Sequence, residues 1–245
     1  PVWGGGGMWV DTGADVTMNS GEIRANNGMG VYVAHGHLTL AGGQISANAG
    51  EGVFVHNSDA SFTQLGGSIS GNTSTFGAGL YVKYGAATLS GGEIADNVAT
   101  GTGTDDGGGG LYVAFGQATI GGVQILRNTT TANGGGVYVL AGTVTLSSGQ
   151  ISDNVAAGLG GGLYVGGGSA TGSGVQVSGN QAADGGALYQ TGEGTLGLTA
   201  SCIAGNSHTA AANDGLAPLA AAGNWWGSAD GPSGRGPGSG DSVGA

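Results

Sequence analysis

GVYVLAGTVTLSSGQISDN (residues 136–154) decides the fold of this chain. It holds three short apolar-polar-apolar runs: Val137-Tyr138-Val139, Val144-Thr145-Leu146 and the stretch around Ile151. Alternation with a period of two is a strand signal, and glycine between the runs supplies corners and blocks helix. The same unit reappears as GLYVKYGAATLSGGEIADN (79–97), and with variations throughout.

Aligning the copies gives two files of residues. Asn26, Asn48, Asn72, Asn97, Asn128, Asn154, Asn180 and Asn206 each follow an Ile or Val by three positions. Trp9, Tyr32, Phe54, Tyr81, Tyr112, Tyr138, Tyr164 and Tyr189 mark the same units upstream. Successive Asn lie 22 to 31 residues apart, a period that means a solenoid. Such strands, with no helix between them, stack on their equivalents in the next coil. The expected fold is all-β: a single-stranded right-handed parallel β-helix of about eight coils with three short strands per coil. Its hand follows the preference of parallel crossovers, and its length would be about 40 Å at roughly 4.8 Å per coil.

Strand alternation assigns directions. Val31 and Val33 point inward, so Tyr32 points outward, and the aromatic file is expected to form a surface stripe. A Thr file (Thr17, Thr39, Thr63, Thr88, Thr119, Thr145, Thr171, broken at Gly197) lies nine residues before each Asn and also faces out. The Asn file is expected to form an amide ladder, with Asn at a left-handed corner. Asn72 and Asn128 also begin the glycosylation sequons NTS and NTT, a reading subordinate to the ladder.

The segment from Asn to the next aromatic is where length varies, from six residues (Asn48 to Phe54) to fifteen (Asn97 to Tyr112). Insertions therefore gather on one edge, often the binding edge of a solenoid. The longest, VATGTGTDDGGGG (98–110), carries Asp105 and Asp106.

Glycine accounts for 60 of 245 residues against 4 prolines, without the one-in-three period of collagen. Four Lys and Arg against 15 acids give a net charge of −11, which disfavours nucleic acid and polyanionic surfaces. No run approaches the ~20 apolar residues of a membrane helix, so no membrane insertion by this segment is expected. The surface must be built from Gly, Ser, Thr, Asn and Tyr, which suits an extracellular or cell-surface protein. Cys202, the one cysteine, cannot form an internal disulfide.

The GG[G/A][V/L]-Y-V plus I-x-x-N units resemble the repeats of polymorphic outer-membrane proteins and, more broadly, the pectate-lyase-like right-handed β-helix superfamily. The resemblance spans about residues 4–215. GNWWGSADGPSGRGPGSGDSV (223–243) is similar to the NWWG segment that closes many bacterial surface β-helices, which implies export and display. The organisation expected is therefore repeats over 1–222 and a cap or extension over 223–245, with Trp225 and Trp226 plugging the rod and the chain continuing in a longer parent.

Catalytic residues are not identifiable. Lyases of that superfamily need Arg or Lys beside acidic Ca2+ ligands, whereas Arg24, Lys83, Arg127 and Arg235 lie in different coils. Inverting hydrolases need paired carboxylates about 6.5–9.5 Å apart, and Asp105–Asp106 has no aligned acid in the neighbouring coils. His35, His37 and His56 fall near equivalent bends but lack a fourth ligand. No cofactor is expected; Asp105 and Asp106 are the weak candidates for Ca2+. The function expected is a non-catalytic secreted or cell-surface structural or adhesive solenoid, with assembly into fibres open to it. The alternatives are a polysaccharide-active enzyme using Asp105, or a carbohydrate-binding module. Partners would be copies of itself, head-to-tail or lateral, or a surface glycan or protein.

Overall fold

The computed structural model describes residues 6–244. Every coil contributes three parallel strands, which stack on the equivalents of the next coil into a β-solenoid of about eight turns. The aromatic strands begin with Met8–Val10, Val31–Val33 and Val53–Val55; the Thr strands with Asp15–Met18 and His37–Leu40; the Ile strands with Glu22–Arg24 and Gln44–Ser46. In the middle coils the Thr and Ile strands fuse, as Gln117–Leu126 and Thr143–Ser152. A fourth, two-residue strand, not anticipated from the sequence, follows Asn in four consecutive coils, from Thr73–Ser74 to Val155–Ala156.

Register is kept from coil to coil. Tyr81 sits opposite Tyr112, which sits opposite Tyr138 and then Tyr164. Thr17 is followed by Thr39, Thr63, Thr88, Thr119, Thr145 and Thr171, and the file ends opposite Gly197. Inside the tube, Ile45, Ile69, Ile94, Ile125, Ile151, Val177 and Ile203 are fully buried.

The Asn file is a hydrogen-bonded ladder with one polarity. Asn154 Oδ1 accepts the backbone N–H and the Nδ2 of Asn128, at 2.9 and 3.0 Å. Its own N–H and Nδ2 donate to Asn180 Oδ1, both at 3.0 Å, and Nδ2 also reaches the Ile125 carbonyl at 2.9 Å. The Nδ2-to-Oδ1 step is 2.7–3.0 Å from Asn26 to Asn206. Asn72 and Asn128 are wholly buried, so neither sequon can carry a glycan in the folded state.

The left-handed corner falls one residue earlier than expected. Ala25, Ala47, Asp96, Arg127 and Asp153 hold φ between 53 and 56°, and Gly71, Gly179 and Gly205 complete the file. Asn keeps ordinary backbone geometry because its work is done by the side chain. Each non-glycine corner costs about 1–2 kcal/mol, which the ladder bonds of the following residue offset.

The aromatic file departs from the expectation of a surface stripe. The rings do point away from the tube interior, yet Phe54, Tyr81, Tyr112, Tyr138, Tyr164 and Tyr189 are 1–9% exposed. They form a second apolar layer, separate from the main core. The variable segment between Asn and the next aromatic folds back over them. Gly134, at φ 68°, shows why that cover is glycine-rich: a Cβ there would stand 2.8 Å from Tyr138 Cβ. Only Trp9, 59% exposed, and the half-buried Tyr32 lie at the surface as expected.

At the far end Trp226 is buried opposite Ile203 and closes the core, whereas Trp225, 49% exposed, faces solvent and does not plug the tube. Asp241 ends the ladder: its Oδ2 accepts the Asn206 N–H at 2.9 Å and Nδ2 at 3.2 Å. A carboxylate accepts without donating, which is what the last rung requires.

Two variants test this account. Asn154→Ala orphans the Asn128 donors and the Ile125 carbonyl, and should cost about 3 kcal/mol in denaturant melts. Gln64 stands in the Leu file, between Leu40 and Leu89, and its fully buried Oε1 has no partner. Gln64→Leu should raise stability by about 1 kcal/mol in the same melts.

Candidate functional site

The aromatic layer is least covered in the first two coils. The shortest of these segments run from Asn26 to Tyr32 and from Asn48 to Phe54; Phe54 is buried all the same, whereas Tyr32 is half-buried and Trp9 is 59% exposed. Where that cover is missing, a cleft of about 450 Å³ opens on the edge of the first three coils. Its walls include Trp9, Met29, Tyr32, Glu51, Ser74 and Thr75. This volume falls within the range of small-molecule sites.

Trp9 and Tyr32 meet edge to face, with centroids 4.7 Å apart and planes at 62°. The Tyr32 hydroxyl lies 2.5 Å from His56 Nδ1. Glu51 is buried in the cleft, and its Oε1 accepts the Ser74 hydroxyl at 2.8 Å. Burial pushes the Glu51 carboxyl above the 4.5 of a free glutamate, against the opposing pull of its backbone and Ser74 hydrogen bonds. The group offers acceptors to a polar ligand, beside two aromatic surfaces.

The 98–110 insertion has a structural role. The Asp105 carbonyl accepts the Tyr112 hydroxyl at 2.8 Å and the Thr104 carbonyl that of Tyr138 at 3.2 Å. Asp106 Oδ2 takes the Gly103 N–H at 2.7 Å. The loop therefore roofs the tyrosines and satisfies their hydroxyls. Desolvation by burial lifts Tyr81 to about 12, and Tyr112 and Tyr138 higher still.

The three histidines pair separately rather than converging. His35 meets Asp59 at 2.9 Å, His37 meets the Ser61 hydroxyl at 2.6 Å, and His56 meets Tyr32. Among the described residues no three His, Cys, Asp or Glu side chains come together as a metal site, and Asp105 and Asp106 acquire no third acid. Arg127 is committed to a bidentate bond with Asp96 and a further one to Glu93, all at 2.9 Å. Cys202 is a partly exposed member of the Ile strand, opposite Gln176.

Sequence reasoning did not pick out Glu51, although the signal was present: it is the one acid in the shortest of the variable segments. No family model, curated protein or solved structure matches the chain.

Glu51 gives the cleft a pH signature. A carboxyl with a raised folded-state pKa binds more protons folded than unfolded, so stability falls as pH rises above 4.5 through the folded value. Glu51→Gln should therefore melt higher than the parent at neutral pH. That gain should vanish when both are melted well below 4.5.

Proposed function

We propose that this chain is a non-catalytic, exported rod that serves as an adhesive surface module and holds saccharide rings in the cleft bounded by Trp9, Tyr32 and Glu51. The observation that carries the reading is the break in cover: the aromatic layer, roofed elsewhere, is bare at this cleft, beside a buried carboxyl. Aromatic faces meet the apolar faces of sugar rings, while Glu51, Ser74 and Thr75 offer hydrogen bonds to hydroxyls.

Other features agree. A surface poor in charge and rich in Gly, Ser, Thr and Asn suits display outside the cell. The repeat's resemblance to polymorphic outer-membrane proteins, within the pectate-lyase-like β-helix superfamily, and the NWWG segment favour the same placement on a bacterial surface. Trp226 and Asp241 occupy the last core layer and the last ladder rung, so head-to-tail growth into a fibre would have to displace them. That favours a ligand on the flank over end-to-end self-association.

A glycan array probed with the intact chain tests the reading. Binding to mono- and disaccharides should be lost roughly tenfold or more in Trp9→Ala, the worth of one aromatic contact of about 1.4 kcal/mol. Binding unchanged in that variant would sink the cleft as the site. Release of reducing ends or unsaturated products from the same glycans would replace the adhesive reading with an enzymatic one.

A further inference from the structure

Beyond the cleft, accessible rings continue along the rod, one in each of five successive coils. Trp9 and Tyr32 are followed by His56, then Tyr84, then Phe115. The steps between centroids are 4.7, 5.6, 6.5 and 5.5 Å. Tyr84 and Phe115 are stacked at 17° and are 47% and 56% exposed, although nothing in the main core or the second layer requires a ring there. Both stand at the bend after the aromatic strand, where later coils place Ala141 and Gly167. The track drifts diagonally from the loop edge to this bend and covers about 20 Å, four inter-strand steps of roughly 4.8 Å.

We propose that this track binds a linear, uncharged glycan chain, whose successive pyranose rings lie over successive coils. The inference rests on the saccharide-holding role of the cleft and extends it from one ring to a polymer. Three observations select this ligand. The ring-to-ring step is close to the length of one pyranose in an extended chain, so rod and ligand share a period. Hydrogen-bonding groups border the rings: the Lys83 ammonium lies 5.2 Å from the Tyr84 ring centre and 3.4 Å from His56 Nε2, and the exposed Gln117 and Thr143 follow at the next strand starts.

The third observation is that the alternatives lack an anchor. A peptide adding as a strand needs open backbone groups, yet along the bend the Lys83, Tyr84 and Phe115 amides donate to the Val55, His56 and Lys83 carbonyls. A polyanion meets a chain of net charge −11, with Lys83 the one cation on the track.

Titration calorimetry with cello-oligosaccharides of two to six units tests the track. Affinity should rise roughly tenfold or more from the dimer to the hexamer. In Tyr84→Ala/Phe115→Ala, two exposed positions, hexamer affinity should fall to the dimer's value while dimer binding and melting temperature stay unchanged. Oligogalacturonates of equal length should bind more weakly. A flat length dependence with intact dimer binding would overturn the track alone, as would a double variant that binds hexamer like the parent. Equal binding of oligogalacturonates would overturn the uncharged ligand. Loss of all binding, dimer included, would remove the cleft reading on which the track depends.

Discussion

The Asn ladder is the constraint on which the rest depends. A parallel solenoid made of three-residue strands has little to hold its register, and a one-residue slip would turn every core side chain outward. Each Asn prevents the slip by tying three coils together: its Oδ1 takes two donors from the coil before, and its Nδ2 spans the coil after and the carbonyl next to the preceding rung. The rungs from Asn72 to Asn180 are fully buried, so a displaced register would leave several polar groups unpaired in an apolar interior. Polarity follows from the same bonds. Donors run toward the C-terminal coils, and the Asp241 side chain, as acceptor, ends the series.

A fixed register brings like residues into contact, and this creates the second layer. Rings repeated in one file stand 4.6–5.7 Å apart, close enough to stack or meet edge to face. Rows of tyrosine on a sheet are amphipathic, and here the glycine-rich segments between Asn and the aromatic fold over them. Loop carbonyls satisfy the hydroxyls of Tyr112 and Tyr138. The variable edge of the rod is therefore partly a roof.

Much of this was legible in the sequence because the signal repeated. Eight Asn at matched spacing identified the coil, and the nine residues from Thr to Asn matched the observed pairing of Thr17 through Thr171. What escaped was the behaviour of single residues. Alternation correctly turned Tyr138 away from the tube, but alternation knows two sides of a sheet and nothing of what covers the far side. The left-handed corner went to Asn on its conformational tolerance, whereas Asp96 and Arg127 occupy it because the side chain after them is locked in the ladder. Trp225 and Trp226 looked equivalent as neighbours; strand alternation buries one and exposes the other. Glu51 and Asp241 occur once each, and periodic reasoning passes over what does not repeat.

The place of the cleft follows from the nearly one-dimensional energetics of a solenoid. Each coil is stabilised by its own burial and by contacts with its two neighbours, so a defect in one coil stays local. Trp9 is exposed and Tyr32 half-buried, yet Val31, Val33 and Leu40 beneath them remain fully buried. A globular domain that bared two large rings and enclosed a carboxyl would weaken a shared core. Here the tube interior and the aromatic layer are separate clusters. Binding surface can thus be opened in the outer layer while register, which the Asn file controls, is left untouched.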